Sequence, residues 1–330
     1  MQEQLTVAVT GPTGTLGFGL MPLLEAEPRV ARVIGIARRP FDPLEYGWGK
    51  LSYRRGDVRE QQVLSEAFAD ADVVVHLAFM ITGNASPQDI REINVGGTLN
   101  AFSAARTADA ERFVYASSVA AYGFHRDNPA GITEDWPTRP GGRLFYAREK
   151  AEVEQLLKRE AQQSDSPAIY MLRPPIVLGP HAAGAKDLLP PALRSAGLRA
   201  LGLLGRLRVP VPVPDLPVQF IHEQDVGQAL LKCVLAEGPP GAYNIAADDV
   251  LSGADVARAL GLTPIPIPAR LAQAGARAAG SVPKRGLPPS IDWVEALSHP
   301  AIMDTTKALE ELGFRPSYSA LETLRDTLEV

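Results

Sequence analysis

A glycine-rich turn directly after an apolar run, near the start of the chain, most constrains its fold. Residues 5–9 are apolar and β-rich, as a buried parallel strand requires, and G-x-x-G-x-x-G follows with Gly11, Gly14 and Gly17. Residues 18–26 then predict an apolar-faced helix. This order directs free backbone N–H groups and a helix N-terminus at an anion, and the missing side chains let a pyrophosphate approach closely. It predicts a dinucleotide site, with an ordinary glycine-rich βα turn as the alternative.

The end of the second predicted strand, residues 32–37, bears on which dinucleotide binds. In dinucleotide-binding folds an acidic residue about 20 positions past the glycine turn binds the ribose 2′-hydroxyl of NAD. This chain has Ala37 there, followed by Arg38 and Arg39. A guanidinium group matches a 2′-phosphate in charge and hydrogen-bond geometry, so the substitution favours NADP over NAD. The alternative is that both arginines only solubilise a strand end.

Apolar strands and helices continue to alternate along the chain. The further predicted strands are residues 51–55, 72–77, 112–116 and 168–172, and the helices are residues 90–105 and 144–162. Later, residues 219–235 predict a strand and a helix, 242–246 a last strand, and 304–312 a helix that ends at Gly313. Alternation of this kind predicts an α/β fold with a doubly wound parallel (Rossmann) sheet.

The amino-acid composition becomes Pro- and Leu-rich over residues 186–216, and the chain is again apolar and interrupted by prolines over 263–300. These segments have the composition of a lid or substrate lobe. We therefore predict a dinucleotide-binding domain of residues 1–180 and 218–262. A smaller C-terminal substrate-binding lobe would comprise residues 181–217 and 263–330.

Composition narrows the possible partners. The net charge is −5, so the chain has no excess of basic residues and nucleic acid is not an expected partner. Cys233 is the single cysteine, which excludes an internal disulfide, and the five histidines lack metal-ligand spacing, so no metal is expected. Neither a signal peptide nor an apolar run of about 18 residues is present, so the chain predicts a soluble cytoplasmic protein that does not enter a membrane.

The pattern Tyr-x-x-x-Lys occurs twice, as Tyr46/Lys50 and as Tyr146/Lys150. The first copy contains two glycines and follows Pro43, so a helix there is improbable. The second lies in a well-formed helical pattern, where positions i and i+4 stack on one face. Only the second copy can hold a phenol and an ammonium group side by side; its alternative is a core tyrosine beside a surface lysine.

An ordered series of motifs resembles the extended short-chain dehydrogenase/reductase family, which includes the NAD-dependent epimerases and dehydratases. The matching segments are TGPTGTLG at 10–17, HLA at 76–78, NVGGT at 94–98, VYASSVAAYG at 114–123, LRPPIVLGP at 172–180, FIHEQDV at 220–226, YNIA at 243–246 and DTTKALEELGFRP at 304–316. The series spans nearly the whole chain. Family members often pair through the helices at 90–105 and 144–162, so the resemblance also implies a homodimer.

The resemblance implies specific site residues. Ser118, Tyr146 and Lys150 align with the catalytic positions. The implied cofactor contacts are Gly11, Thr13, Gly14, Thr15, Leu16, Gly17, Arg38, Arg39, Asp57, Val58, Leu77, Ala78, Phe79, Asn94, Tyr146, Lys150, Pro174 and Ile176. Three assignments keep alternatives. Asp57 contacts adenine or caps a helix, and Asn94 is structural or relays protons. Ser117 lies on the other side of the strand from Ser118, or its side chain only bonds locally to backbone. His222 is expected to be a buried, hydrogen-bonded histidine and not a catalyst.

The chemistry of these residues follows from their pKa values. An isolated tyrosine, with a pKa near 10, is a poor base at neutral pH. The ammonium group of Lys150 and the positive ring of an oxidised nicotinamide would favour the phenolate of Tyr146. Tyr146 can then take a proton from an alcohol as the phenolate, or return one to a forming alkoxide as the phenol, while the hydroxyl of Ser118 steadies the substrate oxygen. Lys150 would also hold the nicotinamide ribose, as the resemblance implies.

Two departures from the family pattern concern the substrate. Nucleotide-sugar members usually carry an arginine before the FIH-like segment to bind a diphosphate, and here that position is Val218. The predicted lobe is also apolar, as in residues 188–191 and 209–216, although Arg194, Arg199, Arg206 and Arg208 remain possible phosphate ligands.

The leading hypothesis is therefore an NADP-preferring oxidoreductase that interconverts a ketone and a secondary alcohol on a fairly apolar small molecule. One alternative is an NAD-dependent nucleotide-sugar epimerase or dehydratase. A second is a non-catalytic dinucleotide sensor, against which the intact Ser118, Tyr146 and Lys150 argue.

Overall fold

The computed structural model describes residues 4–81, 85–139, 144–163, 165–182, 210–271, 274 and 299–328. Its strands are β1 (Leu5–Thr10), β2 (Val30–Ala37), β3 (Leu51–Arg55), β4 (Val73–His76), β5 (Arg112–Ala116), β6 (Ala168–Arg173), β7 (Ile176–Leu178), β8 (Pro210–Pro214), β9 (Pro217–Val218), β10 (Phe220–His222), β11 (Gly241–Asn244), β12 (Leu251–Ser252) and β13 (Thr263–Ile267). Its α-helices are α1 (Thr15–Ala26), α2 (Gln61–Phe68), α3 (Pro87–Arg91), α4 (Gly97–Thr107), α5 (Phe145–Glu160), α6 (Glu223–Val234), α7 (Gly253–Ala259), α8 (Thr306–Leu312) and α9 (Ala320–Leu328). Short 3₁₀ turns cover Pro43–Tyr46 and Val119–Tyr122, and a π-turn covers Glu92–Gly96.

Seven parallel strands form the main sheet, in the order β11-β6-β5-β4-β1-β2-β3. Strands such as β4 are buried along their whole length, as expected of a sheet that helices cover on both faces. The strand order reverses between β1 and β4, which is where ligands bind in such sheets, outside the carboxyl ends of the strands. The predicted doubly wound α/β fold is confirmed.

Helices α1 and α6 cross in direct backbone contact on one face of the sheet. A Cβ atom on Gly19 would lie 2.0 Å from the carbonyl oxygen of Glu223, and one on Gly227 would lie 2.0 Å from the carbonyl oxygen of Gly19. Both glycines are therefore required by packing, since no side chain fits at this crossing. The crossing fixes the start of α1, and with it the glycine turn, against the rest of the sheet.

The predicted helix at 90–105 differs from the observed structure. The chain forms α3, then a π-turn at Glu92–Gly96, and only then α4. The extra residue of a π-turn shifts the helical register, and such turns are frequent at functional sites. Here it places Asn94, which is fully buried, beside the segment that follows β4.

The C-terminal part contains elements that the sequence analysis did not predict. Strand β13 lies in the Pro-rich segment 263–300 and pairs in parallel with β8, and α9 follows the predicted helix α8. Gly313 ends α8 in the left-handed conformation, as predicted. Ala308, Leu312 and Phe314 pack into the main core.

The division into two units stays a prediction. Arg194, Arg199, Arg206 and Arg208 and the apolar segment 188–191 lie outside the described residues. Among the helices that the structure describes, none has the length and apolar character that crossing a membrane requires.

Candidate active site

The three glycines of the first turn have different roles. Gly11 has a φ of +72°, which favours glycine, and a Cβ on Gly17 would lie 2.1 Å from the carbonyl oxygen of Pro12. Gly14 instead has an extended backbone, and a Cβ there would meet only the oxygen of Gly11, at 3.5 Å. The space in front of Gly14 lies at the N-terminus of α1, where free N–H groups attract an anion. The turn therefore fits a dinucleotide pyrophosphate.

This difference between the glycines leads to a prediction. Gly14→Ala should fold as stably as the wild type, because its backbone angles and space suit alanine, yet weaken cofactor binding about tenfold or more by blocking close approach. Gly17→Ala should lower the melting temperature, because its methyl group meets backbone. Isothermal titration calorimetry and thermal unfolding test the pair. Unchanged cofactor affinity in Gly14→Ala would place the pyrophosphate elsewhere.

A buried histidine supports the turn from the neighbouring strand β4. Nδ1 of His76 lies 2.8 Å from the hydroxyl of Thr10, and Nε2 lies 3.1 Å from the hydroxyl of Thr98. The same Thr10 oxygen accepts a hydrogen bond from the backbone N–H of Ala78, and the N–H of Leu77 donates to the Thr10 carbonyl. The predicted contacts Leu77 and Ala78 therefore lie beside the glycine turn.

Burial lowers the pKa of His76 to about 3, with a smaller contribution from the charge of Lys150. As the pH falls, the imidazole of His76 is protonated in the unfolded chain before it is protonated in the folded protein. The stability that comes from its neutral form is therefore complete above about pH 6.5 and is lost as the pH falls towards 3. We expect the free energy of unfolding of His76→Gln to depend less steeply on pH, by up to about 1.4 kcal/mol per pH unit in that window. Urea unfolding at several pH values measures the slopes; parallel slopes would refute the assignment.

The carboxyl end of β2 carries the residues predicted to distinguish NADP from NAD, and the carboxyl end of β3 precedes the predicted adenine contact Asp57. The side chains of Arg38 and Arg39 are exposed, and the charge of Arg38 contributes to lowering the pKa of Asp57. The larger cause of that lowering is the hydrogen bond from Arg59, whose Nη2 lies 2.8 Å from Asp57. The next residue, Val58, packs where a Cβ on Gly97 would lie, 2.4 Å from its Cγ2.

The structure brings together the three predicted catalytic residues. Ser118 follows β5, and its side chain forms a hydrogen bond with that of Tyr146, which lies in the first turn of α5. One helical turn later, Nζ of Lys150 donates to the carbonyl oxygen of Ala116, at 2.6 Å. All three side chains are buried, and the centre of the Phe79 ring lies 3.6 Å from the Lys150 nitrogen. The arrangement lies at the carboxyl edge of the sheet.

Burial dominates the protonation of this group. It raises the pKa of Tyr146 to about 12, against a lowering by the Ser118 hydrogen bond. It also lowers the pKa of Lys150 well below its usual value, while the charges of Glu154 and Glu149 raise it. The expected lowering of the Tyr146 pKa by Lys150 is therefore not present in the protein alone, because desolvation penalises both charged forms.

Asn94 uses its side-chain amide to clasp the segment after β4. Its Oδ1 accepts from the N–H of Met80 at 2.6 Å, and its Nδ2 donates to the carbonyl of Met80 at 2.9 Å and to Oε2 of Glu149 at 2.8 Å. The structural alternative for Asn94 is thus the one that this geometry supports. The clasp sets the position of Phe79, which meets the ring of Tyr146 edge-on at 5.6 Å.

The remaining predicted contacts surround the same edge. The hydroxyl of Thr15 donates to the carbonyl of His181, and the carbonyl of Pro174 accepts from the N–H of Val119. Ile176 begins β7, which pairs with β10. Thr13 and Leu16 belong to the turn and the first turn of α1.

A model of the NAD dependent epimerase/dehydratase family matches residues 7–246. The chain belongs to this family. The resemblance in its sequence is thereby confirmed, and family membership accounts for the dinucleotide turn and the assembled Ser118, Tyr146 and Lys150 within one fold.

Individual relatives cover different parts of the chain. Rv0501, an uncharacterized protein of Mycobacterium tuberculosis, is 27% identical over 335 residues, which are 98% of this chain and 84% of the relative. Human 3 beta-hydroxysteroid dehydrogenase type 7 is 33% identical over 168 residues, 47% of this chain and 44% of that enzyme. A UDP-glucose 4-epimerase of Thermotoga maritima, solved with UDP-glucose, has a TM-score of 0.72 at 20% identity over 98% of both chains, which establishes the shared fold.

Two further positions that the sequence analysis discussed, Val218 and His222, both lie in packed surroundings. Val218 packs into an apolar cluster with Leu178 and Phe220, so its side chain serves the core. His222 is fully buried, caps α6 by accepting from Gln224 and lies 2.9 Å from Asp326, as expected of a structural histidine.

A buried ion pair behind the catalytic residues was missed in the sequence analysis. Arg173 and Glu154 are both fully buried, with Nη2 and Oε2 2.5 Å apart, and Glu154 also accepts from the hydroxyl of Ser117 at 2.6 Å. The pair joins the end of β6 to α5 and to the residue before Ser118. An acidic residue four positions after Lys150, on the same helix face, was the available signal.

Proposed function

We propose that the protein is an NAD(P)-dependent oxidoreductase of the epimerase/dehydratase type, which oxidises a secondary alcohol of a nucleotide-activated sugar and returns the hydride within the same cycle. The observation that carries the proposal is the assembly of Tyr146, Ser118 and Lys150 beside the glycine turn in a member of this family. The likeness of the whole chain to a UDP-glucose 4-epimerase supports the choice of substrate class.

The chain's own residues move and hold a proton. The phenol oxygen of Tyr146 is the group that exchanges a proton with the substrate hydroxyl. The hydroxyl of Ser118 forms a hydrogen bond with that substrate oxygen. When bound, an oxidised nicotinamide supplies the hydride acceptor and a positive charge. That charge offsets the burial that raises the pKa of Tyr146 to about 12.

A second candidate function is net interconversion of a ketone and a secondary alcohol on a fairly apolar small molecule. Val218 favours it, because the side chain at the position expected to bind a diphosphate is apolar and packed in a cluster. The partial likeness to human 3 beta-hydroxysteroid dehydrogenase type 7 also supports it.

One experiment separates the two candidates. Purified protein is incubated with UDP-glucose or dTDP-glucose and catalytic amounts of cofactor, and the sugar products are analysed. Epimerised or dehydrated sugar without net change in cofactor absorbance supports the nucleotide-sugar assignment. Stoichiometric cofactor reduction or oxidation with apolar alcohols or ketones, together with inert nucleotide sugars, supports the second.

For the cofactor, we infer a preference for NADP from the exposed Arg38 and Arg39. Replacing both by alanine should weaken NADPH binding roughly tenfold or more and leave NADH binding nearly unchanged, because only NADPH carries the 2′-phosphate. Arg32→Ala, at the opposite end of the same strand, is the control. Equal loss for both cofactors, measured by calorimetry, would remove the basis for this preference.

A further inference from the structure

Glu149 is a buried carboxylate next to the catalytic lysine, with no part in the proposed proton transfer. It is 6% exposed and is held by the amide of Asn94, an uncharged group, at 2.8 Å. The other buried carboxylate of α5, Glu154, is matched by the guanidinium of Arg173 at 2.5 Å. Burying a carboxylate without a close cation is costly: burial raises the pKa of Glu149, and the hydrogen bond from Asn94 lowers it.

Lys150 is buried as well, and its charged form is stabilised by a nearby negative charge. It is 2% exposed, and its nitrogen donates to one backbone carbonyl while facing the ring of Phe79 at 3.6 Å. The same Asn94 that holds Glu149 also clasps Met80, the residue after Phe79. Glu149, Asn94 and Phe79 therefore form one connected support around the lysine.

We propose that Glu149 is a positioning residue whose buried negative charge, held in place by Asn94, keeps Lys150 an ammonium ion inside the closed site. The inference rests on the proposed function, because that function assigns the ammonium group of Lys150 to the reaction. The opposing effects on Lys150 agree with it: burial lowers the pKa of the lysine, and the charges of Glu154 and Glu149 raise it. Glu154 makes the larger contribution and is itself paired with Arg173 at 2.5 Å, whereas Glu149 is hydrogen-bonded to the uncharged amide of Asn94.

Other groups near Lys150 do not replace this charge. Tyr146 and Tyr115 are neutral phenols, since burial raises the pKa of each, and His76 is neutral, since burial lowers its pKa to about 3. Arg91, which approaches Glu149 from α3, is engaged by Glu152 through contacts of 2.5 and 2.6 Å. The charged and titratable groups that act on the lysine and its carboxylates, in the part of the chain that the structure describes, lie on five elements: Tyr146, Arg148, Glu149, Glu152, Glu154 and Lys158 on α5, Tyr115 on β5, His76 on β4, Arg173 on β6 and Arg91 on α3.

The test measures the pKa of Lys150 directly in the full chain. NMR of the ζ-nitrogen follows the titration, and the signal is assigned by its loss in Lys150→Arg. In Glu149→Gln, whose amide oxygen can still accept from Asn94, the pKa of Lys150 should fall by about one unit or more. Glu149→Met serves the same purpose should the glutamine variant not fold. Glu152→Gln removes an equal charge from an exposed position on the same helix and should shift the pKa by much less.

The outcomes separate this inference from the proposed function. An unchanged pKa of Lys150 in Glu149→Gln, or an equal shift in Glu152→Gln, would overturn the role of Glu149. The expected shift, together with full turnover in Lys150→Met, would leave the charge pairing intact and reject the catalytic role of the lysine. In the active enzyme, the basic limb of the rate profile should move to lower pH in Glu149→Gln, which a merely structural role would not cause.

Discussion

Tyr146→Phe should reduce turnover by about 10²- to 10⁴-fold while leaving cofactor affinity within a few fold of the wild type. The phenol oxygen is the only part removed. It is hydrogen-bonded to Ser118, and the proposed function assigns to it the proton exchange with the substrate. The aromatic ring, its packing against Phe79 and the position of Lys150 remain. Steady-state kinetics with calorimetric cofactor binding measures both quantities.

The control for this variant lies in the same chain. Tyr46→Phe changes the tyrosine of the other Tyr-x-x-x-Lys pattern, which is 49% exposed and lies in a 3₁₀ turn instead of a helix. It should have wild-type activity. Retained turnover in Tyr146→Phe, or an equal loss in Tyr46→Phe, would contradict the assignment of the proton-transfer residue.

Gly227→Ala should destabilise the protein by about 3 kcal/mol or more, the largest stability effect that we expect from a single methyl group here. The added Cβ would lie 2.0 Å from the carbonyl oxygen and 2.3 Å from the carbonyl carbon of Gly19. Backbone cannot rotate away as a flexible side chain can, so α1 and α6 must separate. Urea unfolding measures the change.

Gly96→Ala provides the matched comparison. A Cβ there would meet nothing within 4 Å, and the residue lies in helical backbone, so alanine should be neutral or stabilise by up to about 1 kcal/mol. Similar unfolding curves for Gly227→Ala and Gly96→Ala would show that the crossing is looser than described. A cofactor affinity that falls with Gly227→Ala would show how far the crossing supports the glycine turn.

Local patterns were sufficient to predict the elements that carry the glycine turn and the Tyr146/Lys150 pair. The predicted strands 51–55 and 112–116 coincide with β3 and β5. Residues 113–116 are apolar, β-rich and buried, as a strand inside a covered sheet requires, whereas β3 is a mostly exposed strand at the edge of the sheet. The choice of Tyr146 over Tyr46 also required only helix propensity and the i, i+4 spacing.

Positions that depend on contacts between distant segments escaped the sequence analysis. The π-turn at Glu92–Gly96 is not encoded by apolar periodicity, and its purpose is visible only when Asn94 is seen to hold Met80. The pairing of Arg173 with Glu154 likewise joins a strand end to a helix. Arginine and glutamate are mostly exposed in proteins, so the residue types did not predict that both would be buried.

The sequence alone determined the parallel α/β sheet, because the sheet follows from the order of strands and helices. It also predicted the dinucleotide turn and the Tyr146/Lys150 pair from residues close together in the chain, while Ser118 was predicted from the family resemblance. Only the tertiary structure decided which charges surround Lys150 and how burial acts on Tyr146. Desolvation and Coulomb energies depend on distances through space and on exclusion of water, and these are established only when α5, β4 and β5 pack together.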